Sequence, residues 1–293
     1  MEDILTVLAL RLKQKDNSAN KGTNGTLTVA AGSELYRGAA ALASSAALRC
    51  GVGIVRLVSV EKVISSAAAR LPECVFLPTE SENGTMSYRD FARKMPAFSK
   101  SRAVLAGCGM TDCTDTGNII AELIKYGGYQ LIIDADGLNS IKNRPELLKS
   151  AALPPVITPH IGEMARLTGA SADAIKSDRE KTAAEFSRKY NCITVLKDCK
   201  TVISSPEGKL FVCDRPNAGL AKGGSGDVLS GIISSFAAQG YDAFDAAVCG
   251  AALHSLAAES AREKLTEYSM LPSDIVAEIP GVFARIGKTR NYR

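Results

Sequence analysis

Short apolar runs alternate with helix-like stretches along nearly the whole chain. TLTVAAG (26–32), IVRLVSV (54–60), RAVLAG (102–107), QLIIDAD (130–136), PVITPH (155–160) and CITVLKD (192–198) read as strands. GAAALASSAALRCG (38–51) reads as an Ala-rich helix ended by glycine, VISSAAARL (63–71) as a short helix, and TGNIIAELIKYGG (116–128) as a helix with a glycine stop. TVISSPEGKLFVC (201–213) reads as a hairpin turning at Pro206–Gly208, and helices are expected at 225–239, 242–264 and 273–287. The polar stretch ESENGTMSYRD (80–90) is the loop candidate. Strands resume soon after it, so residues 1–293 are read as one domain. Alternating strand and helix predict an α/β fold: a mostly parallel central sheet, helices on both faces, and an antiparallel edge hairpin.

Composition narrows this picture. The chain has 293 residues, 46% hydrophobic and 23% charged, enough for a sizeable core. With no Trp and 5% aromatics, that core must be built from Ala, Val, Ile and Leu. The net charge is +4, and Arg285, Lys288, Arg290 and Arg293 hold four positive charges in the tail, which reads as a solvated end. No basic stripe mixed with aromatics is visible, so no nucleic-acid partner is expected. The eight cysteines form no CxxC pair, and neither histidine lies near a cysteine pair, which argues against zinc. The apolar N-terminal run is short and no apolar run reaches about 18 residues; neither a secretory signal nor a membrane span is expected, and the reading is cytoplasmic.

Candidate chemistry centres on AGLAKGGSGDVLSG (218–231), a glycine-rich loop running into a helix start. A helix start offers unpaired N–H groups and a positive dipole end, which suit a phosphate. Gly223, Gly224 and Gly226 let backbone approach a ligand closely, and Lys222 adds charge. A carboxylate at that edge, Asp227, is unfavourable beside phosphates unless it serves a purpose, such as taking the proton from an attacking hydroxyl. The alternative is that Ser225 or Asp227 simply caps the helix. No Walker A motif and no strand–helix GxGxxG occurs. Taken alone, His160 is a satisfied histidine or a helix-cap neighbour, Asp134 and Asp136 cap a turn, and His254, on an apolar helix, is a core or interface residue.

GGSGDVLSGII (223–233) resembles the anion-hole and catalytic loop of the ribokinase-like superfamily. NKGTNGTLTVAAGSELYRGAAALASSAALRCGVG (20–53), LIIDADGLN (131–139), VITPHIGEMARLTG (156–169) and TVLKDCKTVISSPEG (194–208) resemble, in order, segments of the ADP/ATP-dependent NAD(P)H-hydrate dehydratases. The resemblance covers about residues 20–285. It implies a ribokinase-like fold and the repair of hydrated NADH and NADPH (the S epimer of NAD(P)HX): ADP or ATP phosphorylates the C6 hydroxyl with Mg²⁺, and the ring nitrogen lone pair then expels phosphate. It implies that Asp227 is the catalytic acid/base and touches substrate, and that Gly223, Gly224, Ser225 and Gly226 form the anion hole. Lys197, Asp198, Cys199, Lys200, Thr201 and Gly226 would bind the nucleotide, and Ala39, Ala40, Gly107, Gly109 and His160 the hydrated dinucleotide. Asp134 and Glu163 would hold Mg²⁺ or its waters. A homotetramer and a separate epimerase chain are further implications.

Two positions depart from the family pattern. Asn20 stands where histidine precedes KG, which is expected to alter substrate contact or oligomer packing. Cys108 stands where proline is usual in GPG, which is expected to loosen a nearby loop. The alternatives in play are a ribokinase-like kinase of a small alcohol such as a thiamine precursor, and a non-catalytic nucleotide-binding module, against which the intact Asp227 argues.

Overall fold

The computed structural model describes residues 3–291, with side chains described as far as Gly287. Eleven strands occur among the described residues: β1 (Thr26–Ala30), β2 (Ile54–Val60), β3 (Val75–Thr79), β4 (Ser81–Glu82), β5 (Thr85–Met86), β6 (Ala103–Ala106), β7 (Gln130–Ile133), β8 (Val156–Ile157), β9 (Ile193–Leu196), β10 (Thr201–Ser204) and β11 (Leu210–Cys213). Nine form one sheet in the order β11-β10-β9-β8-β7-β6-β1-β2-β3, while β4 and β5 pair separately. Strands β9 through β3 run parallel; β10 and β11 are antiparallel and make the expected edge hairpin. The central strands β1, β6 and β9 are buried at every position, as a sheet covered on both faces requires.

The helices are α1 (Ile4–Arg11), α2 (Arg37–Arg49), α3 (Glu61–Ala68), α4 (Tyr88–Lys94), α5 (Thr114–Tyr126), α6 (Asp136–Ser140), α7 (Ile161–Thr168), α8 (Ala172–Ser177), α9 (Arg179–Tyr190), α10 (Ser225–Ala238), α11 (Ala243–Ser269) and α12 (Pro272–Asn291). Helix α10 is buried along nearly its whole length from Val228 to Ala238. It reaches α2 closely because Gly231 has no side chain: a Cβ there would lie 2.2 Å from the Ala43 carbonyl oxygen. Ala40, Ala43, Ala46 and Ala47 form the small-residue face of α2, and Ser235 Oγ donates to the Ala47 carbonyl across the contact. Alanine thus supplies the close packing that the scarcity of aromatics demands.

Several expectations need correction. The stretch 80–90 is not an open loop: Asn83 and Gly84, both at positive φ, turn the β4–β5 hairpin, and α4 begins at Tyr88. Strand β3 and helices α1, α7, α8 and α9 were not expected. Helix α11 runs past 264 and breaks at Thr266, φ +62°. Arg285 is exposed, as a solvated end requires, whereas the side chains of Lys288, Arg290 and Arg293 lie outside the described residues. No helix among the described residues is long and apolar enough to cross a membrane.

Candidate active site

The strand order reverses between β1 and β6, and ligands of open α/β sheets bind beyond the carboxyl ends at such a switch point. The expected strands at 26–32, 102–107, 130–136, 155–160 and 192–198 stop short, at Ala30, Ala106, Ile133, Ile157 and Leu196. The residues just beyond those ends gather at one edge of the sheet. The Gly32 N–H donates to the Cys108 carbonyl at 2.8 Å, joining the loops after β1 and β6. Gly107 has φ +121°, and a Cβ there would sit 1.9 Å from the Asp134 carbonyl oxygen, so only glycine lets these two loops touch. The Thr111 N–H donates to Asp136 at 2.8 Å, and Ala135 is held at φ +50°, a strained conformation for alanine.

Helix α10 begins against these loops. Its N-cap is Gly224, φ +102°, so no side chain caps the first turn, and Gly223 has open space around its Cα. A Cβ on Gly226 would lie 3.2 Å from Lys197 Nζ, which puts an ammonium beside the first-turn N–H groups, among which that of Ser225 donates to the Lys222 carbonyl at 3.3 Å. Lys197 in turn donates to Asp134 Oδ1 at 2.8 Å, while Ser230 Oγ donates to Asp134 Oδ2 at 2.6 Å. Burial alone would raise Asp134, but Lys197 and these hydrogen bonds hold it below the usual carboxylate range. Burial would lower Lys197, but Asp134 and Glu163 keep it firmly charged. Asp227, in the first turn of α10, is pushed up to about 6, chiefly by burial and then by the charge of Asp134. The Cys108 thiol and the carboxylates of Asp134 and Asp227 have ligand atoms within 4.8 Å of one another. Burial drives that thiol well above its ordinary value, so it stays protonated, a weak donor between two acceptors.

The structure therefore brings together Gly223, Gly224, Ser225, Gly226, Asp227, Asp134 and Lys197, with Gly107 directly behind them. Lys222 does not join them: its Nζ donates to the Tyr268 and Met270 carbonyls and ties the loop to the end of α11. Ala39 borders Gly109, whose added Cβ would sit 2.8 Å from the Ala39 methyl. Ala40 is fully buried against Gly32 and shows no surface to a ligand. Asp198, Cys199, Lys200 and Thr201 form the turn into β10, where Asp198 pairs with Arg179 and Lys200 with Asp214. A cavity of about 60 Å³ lies between this turn, α10 and α11. His160 is the N-cap of α7: its Nδ1 accepts from the Gly162 and Glu163 N–H groups, and Glu163 Oε2 accepts from the His160 N–H at 2.8 Å. Burial, then the cations Lys197 and Arg166, lower the pKa of His160; burial raises Glu163 to about 7.

Comparison with known proteins bears on this arrangement. The family model described as NAD(P)H-hydrate dehydratase matches residues 27–281. The chain belongs to the NAD(P)H-hydrate dehydratase family. A bifunctional NAD(P)H-hydrate repair enzyme of Moorella thermoacetica is 31% identical over 94% of this chain and 52% of that enzyme. The chain thus spans about half the length of the first curated relatives it matches. An ADP-dependent (S)-NAD(P)H-hydrate dehydratase of Xanthomonas campestris is 30% identical, over 97% of each chain. The structure of an ADP/ATP-dependent NAD(P)H-hydrate dehydratase from Bacillus subtilis, co-crystallised with ATP and Mg²⁺, superposes with a TM-score of 0.82 at 26% identity, covering 96% of this chain and 97% of that one.

Within this family member, the carboxylates proposed for Mg²⁺ are already engaged. Asp134 Oδ1 accepts from Lys197 and from the Ala135 N–H, and Oδ2 accepts from Ser230. Glu163 is tied to the cap of α7. This donor set fits a Mg²⁺ held through its own waters and the nucleotide phosphates, the usual habit of that ion. Of the two departures from the family pattern, Asn20 accepts from the Gly22 and Thr23 N–H groups in a local turn. The loop that carries Cys108 is held by the Gly32 N–H on the Cys108 carbonyl and by the Met110 N–H on the Gly107 carbonyl. Sequence reasoning missed the Lys197–Asp134 pair, Ser230 and the strain at Ala135. Ser230 lies one turn beyond Asp227 in the quoted loop, and that spacing alone marks it as facing the same way.

Proposed function

We propose that this chain is a nucleotide-dependent NAD(P)H-hydrate dehydratase, a carbon–oxygen lyase that uses ADP or ATP. The observation that carries the reading is the uncapped start of α10, with Lys197 Nζ beside Gly226 and Asp227 in the first turn, at the edge of the sheet where strand order reverses. The adenine nucleotide lies along Lys197–Thr201, with its terminal phosphate at the N–H groups of Gly223–Gly226. The hydrated nicotinamide approaches from the loops bearing Ala39, Gly107, Gly109 and His160; Ala40 acts beneath them through packing.

Asp227 accepts the proton of the C6 hydroxyl as that oxygen attacks the terminal phosphorus, and the pKa near 6 leaves it ionised at neutral pH. The N–H groups that no side chain caps and Lys197 stabilise charge on the transferred phosphoryl group. Bound Mg²⁺ neutralises phosphate charge and fixes its orientation, with Asp134 and Glu163 able to hold its waters. Once phosphorylated, the C6–O bond breaks, the ring nitrogen lone pair moves into the ring, and loss of the C5 proton restores the dihydropyridine. Asp134 is paired with Lys197, which leaves Asp227 as the carboxylate in the first turn of α10 placed to take the hydroxyl proton.

A kinase of a small alcohol shares the first half of this chemistry but releases a stable phosphate ester. Phosphorus NMR separates the two on hydrated NADH: the dehydratase yields inorganic phosphate with NADH, whereas accumulation of a phosphorylated adduct would favour the kinase. The family resemblance further supports a cytoplasmic protein of single-domain subunits assembled as a homotetramer; sedimentation tests the tetramer.

A further inference from the structure

His254 belongs to no part of the chemistry above, yet it sits beneath the anion loop. It lies midway along α11 and is 7% exposed. Its imidazole faces the Ser225 backbone at the first turn of α10. With Ala251 and Ser255 of its own helix, Leu229 of α10, and Cys199 and Thr201 of the nucleotide turn, it lines the cavity of about 60 Å³. Its Nε2 makes no well-formed hydrogen bond, and the Ser225 hydroxyl also has no partner. Buried polar atoms without partners are costly and rare; here two of them lie at one turn, the turn that the nucleotide phosphate would occupy. A plain core histidine would have its donor satisfied, or its place would be taken by an apolar residue of similar size.

Burial pushes the imidazole down to about 4, so the ring is neutral at working pH. It therefore carries one N–H and offers the phosphate no charge. What it can offer is a donor fixed in position by the packing of α11 against α10.

We propose that His254 is a positioning residue for the proposed reaction, donating its ring N–H to the start of α10 and holding the Gly223–Gly226 turn in its phosphate-binding shape. The bond closes when a phosphate draws the turn taut, and the energy of closing it appears in nucleotide affinity and turnover rather than in the stability of the free protein. The inference rests on the reading that this turn binds the transferred phosphate.

The test compares His254→Leu, His254→Gln and His254→Asn by thermal melting of the free protein, by calorimetric titration with ADP or ATP and Mg²⁺, and by steady-state kinetics on hydrated NADH. His254→Leu is expected to melt at or above the wild-type temperature, because it removes an unpaired buried polar group. Its kcat/KM for nucleotide falls at least tenfold, while KM for hydrated NADH stays within twofold. His254→Gln, which can carry an N–H to the same place, recovers most of the loss; His254→Asn, one methylene shorter, does not. Wild-type kinetics in His254→Leu would overturn the proposal, and so would equal activity of the Gln and Asn variants. If His254→Leu fails to fold, the Gln–Asn contrast decides alone. If the wild type binds nucleotide but restores no NADH, the dehydratase reading fails instead, and the titrations still decide whether His254 supports the phosphate site.

Discussion

Two helices start beside the same lysine, and they treat their free N–H groups in opposite ways. At α7, His160 folds its ring back onto the Gly162 and Glu163 N–H groups, and Glu163 returns the favour at the His160 N–H. That N-terminus is closed by the chain's own side chains. At α10 the cap residue is Gly224, which has no side chain to give, and Lys197 stands beside Gly226 while paired with Asp134. The two ends are linked, since the Lys197 N–H donates to the Pro159 carbonyl just before the α7 cap. The difference teaches where an anion can dock. A helix start is an anion site when the sequence leaves it bare and surrounds it with groups that gain from company.

The sharpest way to break this contrast is at the base. Asp227→Asn should lower turnover by roughly 10²–10⁴-fold and leave nucleotide affinity nearly unchanged in calorimetry; near-normal turnover would remove Asp227 from the chemistry. Lys197→Met comes next. It strands the buried Asp134 carboxylate, so urea unfolding should show a loss on the order of 3–5 kcal/mol, with weaker nucleotide binding. An unchanged midpoint would mean that Asp134 is not held by this pair.

Acidity gives a smaller effect with a definite sign. Asp227 must be ionised to act, and its folded value is raised to about 6, so kcat/KM should fall about tenfold per unit as pH drops below that value. Stability of the free protein should run the other way. Both Asp227 and Glu163, the latter near 7, hold their protons more tightly folded than unfolded. Their contribution is present below about pH 4, the ordinary carboxylate range, and is lost as pH rises through 6 to 7. Melting curves across that interval, with Glu163→Gln flattening its upper part, check the sign. The smallest effect is at the closed end: His160→Ala should cost about 1 kcal/mol of stability through the lost cap and leave nucleotide affinity alone. If His160→Ala weakened the nucleotide as much as Lys197→Met does, the two helix starts would not differ as described.

Much of the fold was legible because its strands are unbroken apolar runs, and the glycine stops at Gly51 and Gly127 mark helix ends by their positive φ. The strands were overextended for an instructive reason. Beyond Ile133, Asp134 is as buried as the strand itself and its N–H still donates to the Ala106 carbonyl of β6, so the strand pattern continues past the last paired residue. Helix α9 is hard to read because it buries only a narrow face among charged residues. The β4–β5 hairpin carried a readable signal, Asn83–Gly84, submerged in a polar stretch. At the site, the glycine loop and Asp227 were visible as a motif. Lys222 was misjudged because a lysine in a loop says nothing of the carbonyls that will surround it. The Lys197–Asp134 pair joins residues 63 apart in sequence, and no local pattern encodes that meeting; it follows only from strands β7 and β9 flanking β8 in one sheet.

The most direct test is the absorbance of hydrated NADH incubated with the purified protein and Mg²⁺, with ADP, with ATP, and with neither. The account predicts growth of the NADH band that requires a nucleotide and is absent with Asp227→Asn. No growth with either nucleotide, in a folded protein that binds them, would contradict it.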